Sequence, residues 1–72
     1  MDFNVAADEL LSIITCEALS SSLGVTRKDF WRMRLPDGNP NRVKDRPENW
    51  QAIMKEYALN RARHFAELAE KL

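Results

Sequence analysis

All three prolines of this chain, Pro36, Pro40 and Pro47, fall in one stretch from Leu35 to Pro47, together with Gly38, one of only two glycines. Proline lacks a backbone donor and clashes with the preceding helical turn, so this stretch must be a loop. The segments on either side are free to be helical. Pro36-Asp37-Gly38 is a strong turn signal. Outside the loop, apolar residues recur at helical spacing and show no sustained period-two alternation. RVKD at 42–45 alternates briefly, which leaves a small β wing open beside the irregular loop that the composition favours. The expectation is an all-α fold of about four helices with a long C-terminal helix.

A chain of 72 residues allows one small domain, 1–72, and excludes a two-domain enzyme. Its 44% hydrophobic content is too high for a disordered segment, and its longest apolar runs are too short to span a membrane. The segment MDFNVAADELL carries acids where a signal peptide needs Lys or Arg. Cys16 is the single cysteine and has no internal disulfide partner, which fits a reducing, cytoplasmic setting.

The first helix is expected near Val5, with Asn4 as N-cap and Phe3, Ala6, Leu10, Ile13 and Ile14 on one face. Thr15 can cap a second short helix, Cys16 to Leu23, which Gly24 would end in the left-handed conformation. No Gly or Pro marks the junction of these two helices, so one continuous helix is the alternative. Thr26 caps a third helix through Phe30, Trp31 and Met33 that stops before Pro36. The last helix is expected over 48–72, with Pro47 in its first turn and Glu48 complementing the dipole. Trp50, Ile53, Met54, Tyr57, Ala58, Phe65, Leu68 and Leu72 follow its helical spacing. At about 1.5 Å per residue it is a rod of about 37 Å. A compact body of this length has a radius of gyration of about 11 Å, so the rod outruns the body it covers.

The formal net charge is zero, yet its distribution is uneven. Residues 1–25 hold Asp2, Asp8, Glu9 and Glu17 and no cation. Residues 26–46 hold Arg27, Lys28, Arg32, Arg34, Arg42, Lys44 and Arg46 against three aspartates. A positive charge concentrated in one third of the chain points to an anionic partner; a solvated basic loop is the plainer alternative.

The segment CEALSSSLGVTRKDFWRMR, residues 16–34, has the residue types that a helix-turn-helix needs. Small Ser20 stands where two helices nearly touch, Gly24 permits the sharp turn, Val25 plugs the corner, and Phe30 and Met33 anchor the second helix. The segment resembles the helix-turn-helix of the Cro and lambda-repressor-like superfamily, especially small phage and prophage regulators, with LGVTRKDFWRMR as the matching core. It departs from the family in carrying Ser20 where alanine is usual, and in having four predicted helices where most members have five. The resemblance implies a motif over 16–35, a loop over 36–47, and sequence-specific binding of double-stranded DNA by a transcriptional regulator, a repressor in a bacterial host cell. It implies that helix 27–35 enters the major groove, with Arg27, Lys28, Trp31 and Arg32 reading bases. Thr26 would hold a phosphate at the helix start, and Arg34, Arg42, Lys44 and Arg46 would clamp flanking phosphates. One module this small binds weakly, so a homodimer through the C-terminal helix is expected, reading half-sites about 34 Å apart.

Trp31 has an equally plain reading as a core residue that fixes the helix. Arg61 is expected to snorkel or to pair with Asp8 or Glu9. His64 and Cys16 are expected to be structural, because no second metal ligand or catalytic base is spaced to use them. Ala52, Leu59 and Ala66 form a seven-residue stripe that is either helix-favouring filler or a dimer seam. No glycine-rich phosphate loop, HExxH or paired CxxC is present, so neither enzyme chemistry nor a cofactor, metal or small-molecule ligand is expected. The rival reading is a protein-binding adaptor or inhibitor, phage-encoded or antitoxin-like, built on the same scaffold.

Overall fold

The computed structural model describes residues 1–42 and 45–72. It holds four helices: α1 (Phe3–Leu11), α2 (Cys16–Ser22), α3 (Arg27–Met33) and α4 (Trp50–Lys71). Among the described residues there is no strand, and the helices account for 64% of them. Val43 and Lys44, the middle of the segment whose alternation left a β wing open, lie outside the described residues.

α1 begins two residues before the expected Val5. Its N-cap is Asp2 rather than Asn4, and the Asp2 carboxylate accepts the backbone N–H of Val5 at 2.8 Å. Both residue types cap well, so the tie is broken by packing. The earlier start places Phe3 inside the helix and turns it into the core. It also frees Asn4, whose amide Nδ2 donates to the Arg34 carbonyl at 3.1 Å.

α1 and α2 are separate, and hydroxyl groups make the break. Ser12 Oγ donates to the Glu9 carbonyl at 2.6 Å, competing with the helical ladder at its last turn. Thr15 Oγ1 then accepts the Ala18 N–H at 3.1 Å and caps α2. The intervening turn shifts the phase of the apolar face. Ile14 stays buried while Ile13 is 63% exposed, contrary to the shared face expected of the two.

α2 closes in a Schellman arrangement. Gly24 N–H donates to Ser21 O and Val25 N–H to Ser20 O, both at 3.0 Å, with Gly24 at φ +74°. Val25 then packs against the core as the corner plug. Ser20 is buried, and its hydroxyl donates to the Cys16 carbonyl at 2.7 Å. That bond removes the desolvation penalty the buried hydroxyl would otherwise carry. Cys16 is half-buried against the core, its Sγ 3.9 Å from Ser20 Oγ.

α4 starts later than expected. Pro47 and Glu48 lie in a preceding turn, closed by Trp50 N–H to Pro47 O at 3.1 Å, and the helix proper runs from Trp50 to Lys71. Its first half packs on α1 and α2 through buried Met54 and half-buried Trp50, Ile53 and Tyr57. From Ala58 onward nearly every residue is exposed, and the molecule is drawn out to 50 × 20 × 18 Å. The radius of gyration of 13.8 Å exceeds the compact value because this helix leaves the body. No described helix is long and apolar enough to cross a membrane.

The core joins all four helices: Phe3, Leu10 and Ile14 from the first segment, Leu19 and Leu23, Phe30 and Met33, then Met54. Phe3, 1% exposed, is its centre. Its ring lies 6.0 Å from that of Phe30 and meets Trp50 edge-on at 5.3 Å. Removing it deletes the contacts that tie α1 to α3 and α4 at once. We expect Phe3→Ala to lose about 3–5 kcal/mol in urea unfolding, enough to unfold a domain this small. At Gly24 an added Cβ would meet nothing within 4 Å, so the penalty there is conformational only. Gly24→Ala should lose about 1–2 kcal/mol with the fold retained.

Candidate nucleic-acid interface

α3 is a short helix with two unlike sides. Its N-cap Thr26 accepts the Asp29 N–H at 3.1 Å, which sets the start of the helix and therefore its phase. Phe30 and Met33, three apart, are buried and fix the helix to the body. The same phase turns Arg27, Lys28 and Trp31 outward, with Arg32 half-exposed at the margin. Trp31 is 61% exposed, so the reading that buries it in the core is excluded. The four expected base-contacting residues therefore lie on the accessible part of one helix. Thr26 is exposed at its start, with its hydroxyl already engaged as the cap.

The expected phosphate clamps are differently placed. Arg34 forms an ion pair with Asp8, and its Nε donates to Asn4 Oδ1 at 3.1 Å. Since Asn4 also donates to the Arg34 carbonyl, these contacts form a latch between the end of α3 and the outer side of α1. Arg42 pairs with Asp37, its side chain only 14% exposed and its Nε buried without a hydrogen-bond partner among the described residues. Arg46 Nε donates to the Met33 carbonyl at 2.9 Å, satisfying an acceptor left open at the C-terminus of α3. Its guanidinium carbon sits 4.9 Å from the centre of the Phe3 ring, a cation–π contact against the core. Burial, and then the nearby Arg42 charge, push the Arg46 guanidinium below its ordinary value, with Asp2 acting in the opposite direction. Lys44 lies outside the described residues.

The basic third of the sequence is thus two populations. The cations of α3 face outward, while Arg34, Arg42 and Arg46 brace the end of α3 and the loop behind it. Each of these three arginines already has a partner within the protein, which sets it apart from the outward cations of α3. Arg46 reaches a carbonyl left open at the end of α3, whereas Arg34 and Arg42 meet the carboxylates of Asp8 and Asp37. The signal for the latch was present in Asn4 and Asp8, one turn apart on α1, but the residue that they would meet, thirty positions from Asn4, was not readable.

Arg61 pairs with neither Asp8, which Arg34 holds, nor Glu9; it is half-buried, with its guanidinium carbon 5.8 Å from the centre of the Tyr57 ring. His64 is exposed, with its ring centre 6.0 Å from that of Phe65. Among the described residues, no group of three or more His, Cys, Asp or Glu side chains is placed to hold a metal. No family model matches the chain, and no curated protein or solved structure matches it.

The two populations should separate by stability. Replacing Arg46 with methionine keeps the apolar stem but deletes its charged hydrogen bond. We expect a loss of about 1.5–3 kcal/mol in urea unfolding. Arg27→Glu, Lys28→Glu and Arg32→Glu, at outward positions, should each stay within about 0.5 kcal/mol of the parent chain.

Proposed function

We propose that this chain binds double-stranded DNA as a small transcriptional regulator, a repressor of the phage or prophage type acting in the cytoplasm of a bacterial host. The observation that carries the reading is the division of α3: Phe30 and Met33 hold it to the body while Arg27, Lys28, Trp31 and Arg32 are left accessible. A helix so held can enter a major groove without disturbing the core. Arg27 or Arg32 would read a guanine through a bidentate pair, discriminating by about 1–3 kcal/mol. Lys28 would contact a base edge beside them, and the exposed Trp31 ring would supply apolar contact to a thymine methyl. The braces at Arg34 and Arg46 act indirectly, by stiffening the end of the reading helix. The α2–turn–α3 segment and its likeness to the Cro and lambda-repressor-like motif support the same reading. A pair of copies, joined through α4, would present two such helices to adjacent half-sites.

A protein-binding adaptor is the second reading. It is favoured by Trp31, because an exposed tryptophan on a chain of zero net charge is a frequent anchor of protein interfaces.

Fluorescence anisotropy with labelled duplexes decides between them. Binding at about 50 mM salt should weaken steeply as salt rises, because each phosphate contact releases counterions. Arg27→Glu, Lys28→Glu and Arg32→Glu combined should abolish it with the helical signal unchanged. Neutralising Arg27 or Arg32 alone should narrow the difference in affinity between the preferred duplex and one with its guanine replaced. A folded protein with no affinity for any duplex at low salt would leave the adaptor reading standing.

A further inference from the structure

Arg27 and Trp31 stand one turn apart on α3, and Arg34 continues the same stripe one turn further on. Arg34 is the C-cap but keeps right-handed helical angles, φ −85° and ψ −11°, so the stripe runs to the end of the helix. Lys28 and Arg32 stand farther round the helix. A helix with its side chains is about 10–12 Å across, and the major groove is about 12 Å wide. Residues at the edges of a seated helix therefore meet the phosphates that wall the groove. Arg34 is at such an edge, on the side of α3 that faces α1, and what it meets there is the carboxylate of Asp8.

We infer that Asp8 sets the affinity of this site: its carboxylate stands in for a backbone phosphate and holds the Arg34 guanidinium off the DNA. This role for Asp8 rests on the reading that α3 enters a major groove. Arg34 is held at two points of different character. Its Nε donates to Asn4 Oδ1 and its carbonyl accepts from Asn4 Nδ2, each at 3.1 Å and part-buried. Those bonds fix the stem and the backbone. The terminal Nη2 donates to Asp8, in a pair open to water, with the Asp8 side chain 67% exposed and that of Arg34 27%. An ion pair so exposed gains little over its hydrated parts, so a phosphate competes with it on near-equal terms. Asn4 can keep Nε while Nη2 changes partner, so the exchange needs no backbone movement. The other two bracing arginines are more firmly committed. Arg42 is 14% exposed, and Arg46 Nε is bound to the Met33 carbonyl with its guanidinium against Phe3. Repulsion adds to the competition. With Arg34 on Asp8, this edge makes no phosphate contact. With Arg34 turned to a phosphate, a bare carboxylate stands beside the same strand and repels it. Either way Asp8 weakens the hold on DNA.

Fluorescence anisotropy with one mixed-sequence duplex, and circular dichroism to verify folding, tests this by comparing the parent chain with Asp8→Asn. Asparagine keeps the side chain's shape and an acceptor for Nη2 but removes the charge. Asp8→Asn should bind about tenfold more tightly at about 50 mM salt, and the slope of log affinity against log salt should steepen by about one, the mark of one added phosphate contact. Adding Arg34→Met to Asp8→Asn should return the slope to that of the parent. Glu9→Gln removes an equal charge from the next position of α1, beside the groove between α1 and α4, and should leave the slope unchanged. A steepening as large in Glu9→Gln, or one that survives Arg34→Met, overturns the inference, because the gain is then one of net charge alone. Asp8→Asn that binds no more tightly than the parent also overturns it and leaves Asp8 a brace. In each of those cases a parent chain that binds the duplex keeps the functional reading. If neither the parent nor Asp8→Asn binds, both are lost.

Discussion

The ring of Phe3 is the point on which the tertiary structure turns. It belongs to α1, yet it touches Phe30 of α3, Trp50 of α4 and the guanidinium of Arg46 from the loop between them. A chain this short buries about 60% of its unfolded surface, less than a larger domain does, and cannot maintain several independent clusters. One aromatic residue that gathers the distant segments is an efficient answer. It also explains why α1 begins at Phe3: a helix starting later would leave the ring on a loose end, outside the only core the chain can build.

The same core shapes the surface in two ways. With α3 anchored from beneath by Phe30 and Met33, its remaining side chains have nowhere to go but outward. And because the core is complete by Tyr57, the rest of α4 has no body to cover. The outward side of α3 and the uncovered side of α4 are by-products of one compact core. One carries the proposed DNA contacts and the other the proposed joint between copies.

Much of the candidate site could be read along the chain. Thr26 as a cap, Gly24 as a left-handed residue and the spacing of Phe30 and Met33 are local signals. Together they set which way Arg27 and Lys28 point. The roles of Arg34, Arg42 and Arg46 were not legible in the same way. A guanidinium is suited equally to a phosphate, a carboxylate or an unpaired carbonyl, and nothing in its neighbours along the chain chooses among them. The choice came from Asp8, Asp37 and the Met33 carbonyl, brought within reach by folding. Trp31 shows the same limit: an aromatic residue on a seven-residue helix fits either side until the partner helices are placed.

Local order in this protein was written in its residues. The prolines between 36 and 47 mark the loop, the capping hydroxyls of Thr15 and Thr26 start two helices, and Gly24 makes the turn between them. Each works through bonds spanning only a few residues, so the chain needs no distant information to specify them. Folding alone decided that Ile13 faces solvent, that Trp31 lies outside the core, and which groups Arg34, Arg42 and Arg46 meet. These depend on which groups meet across many positions of the chain, and on how much apolar surface is left once the core has closed.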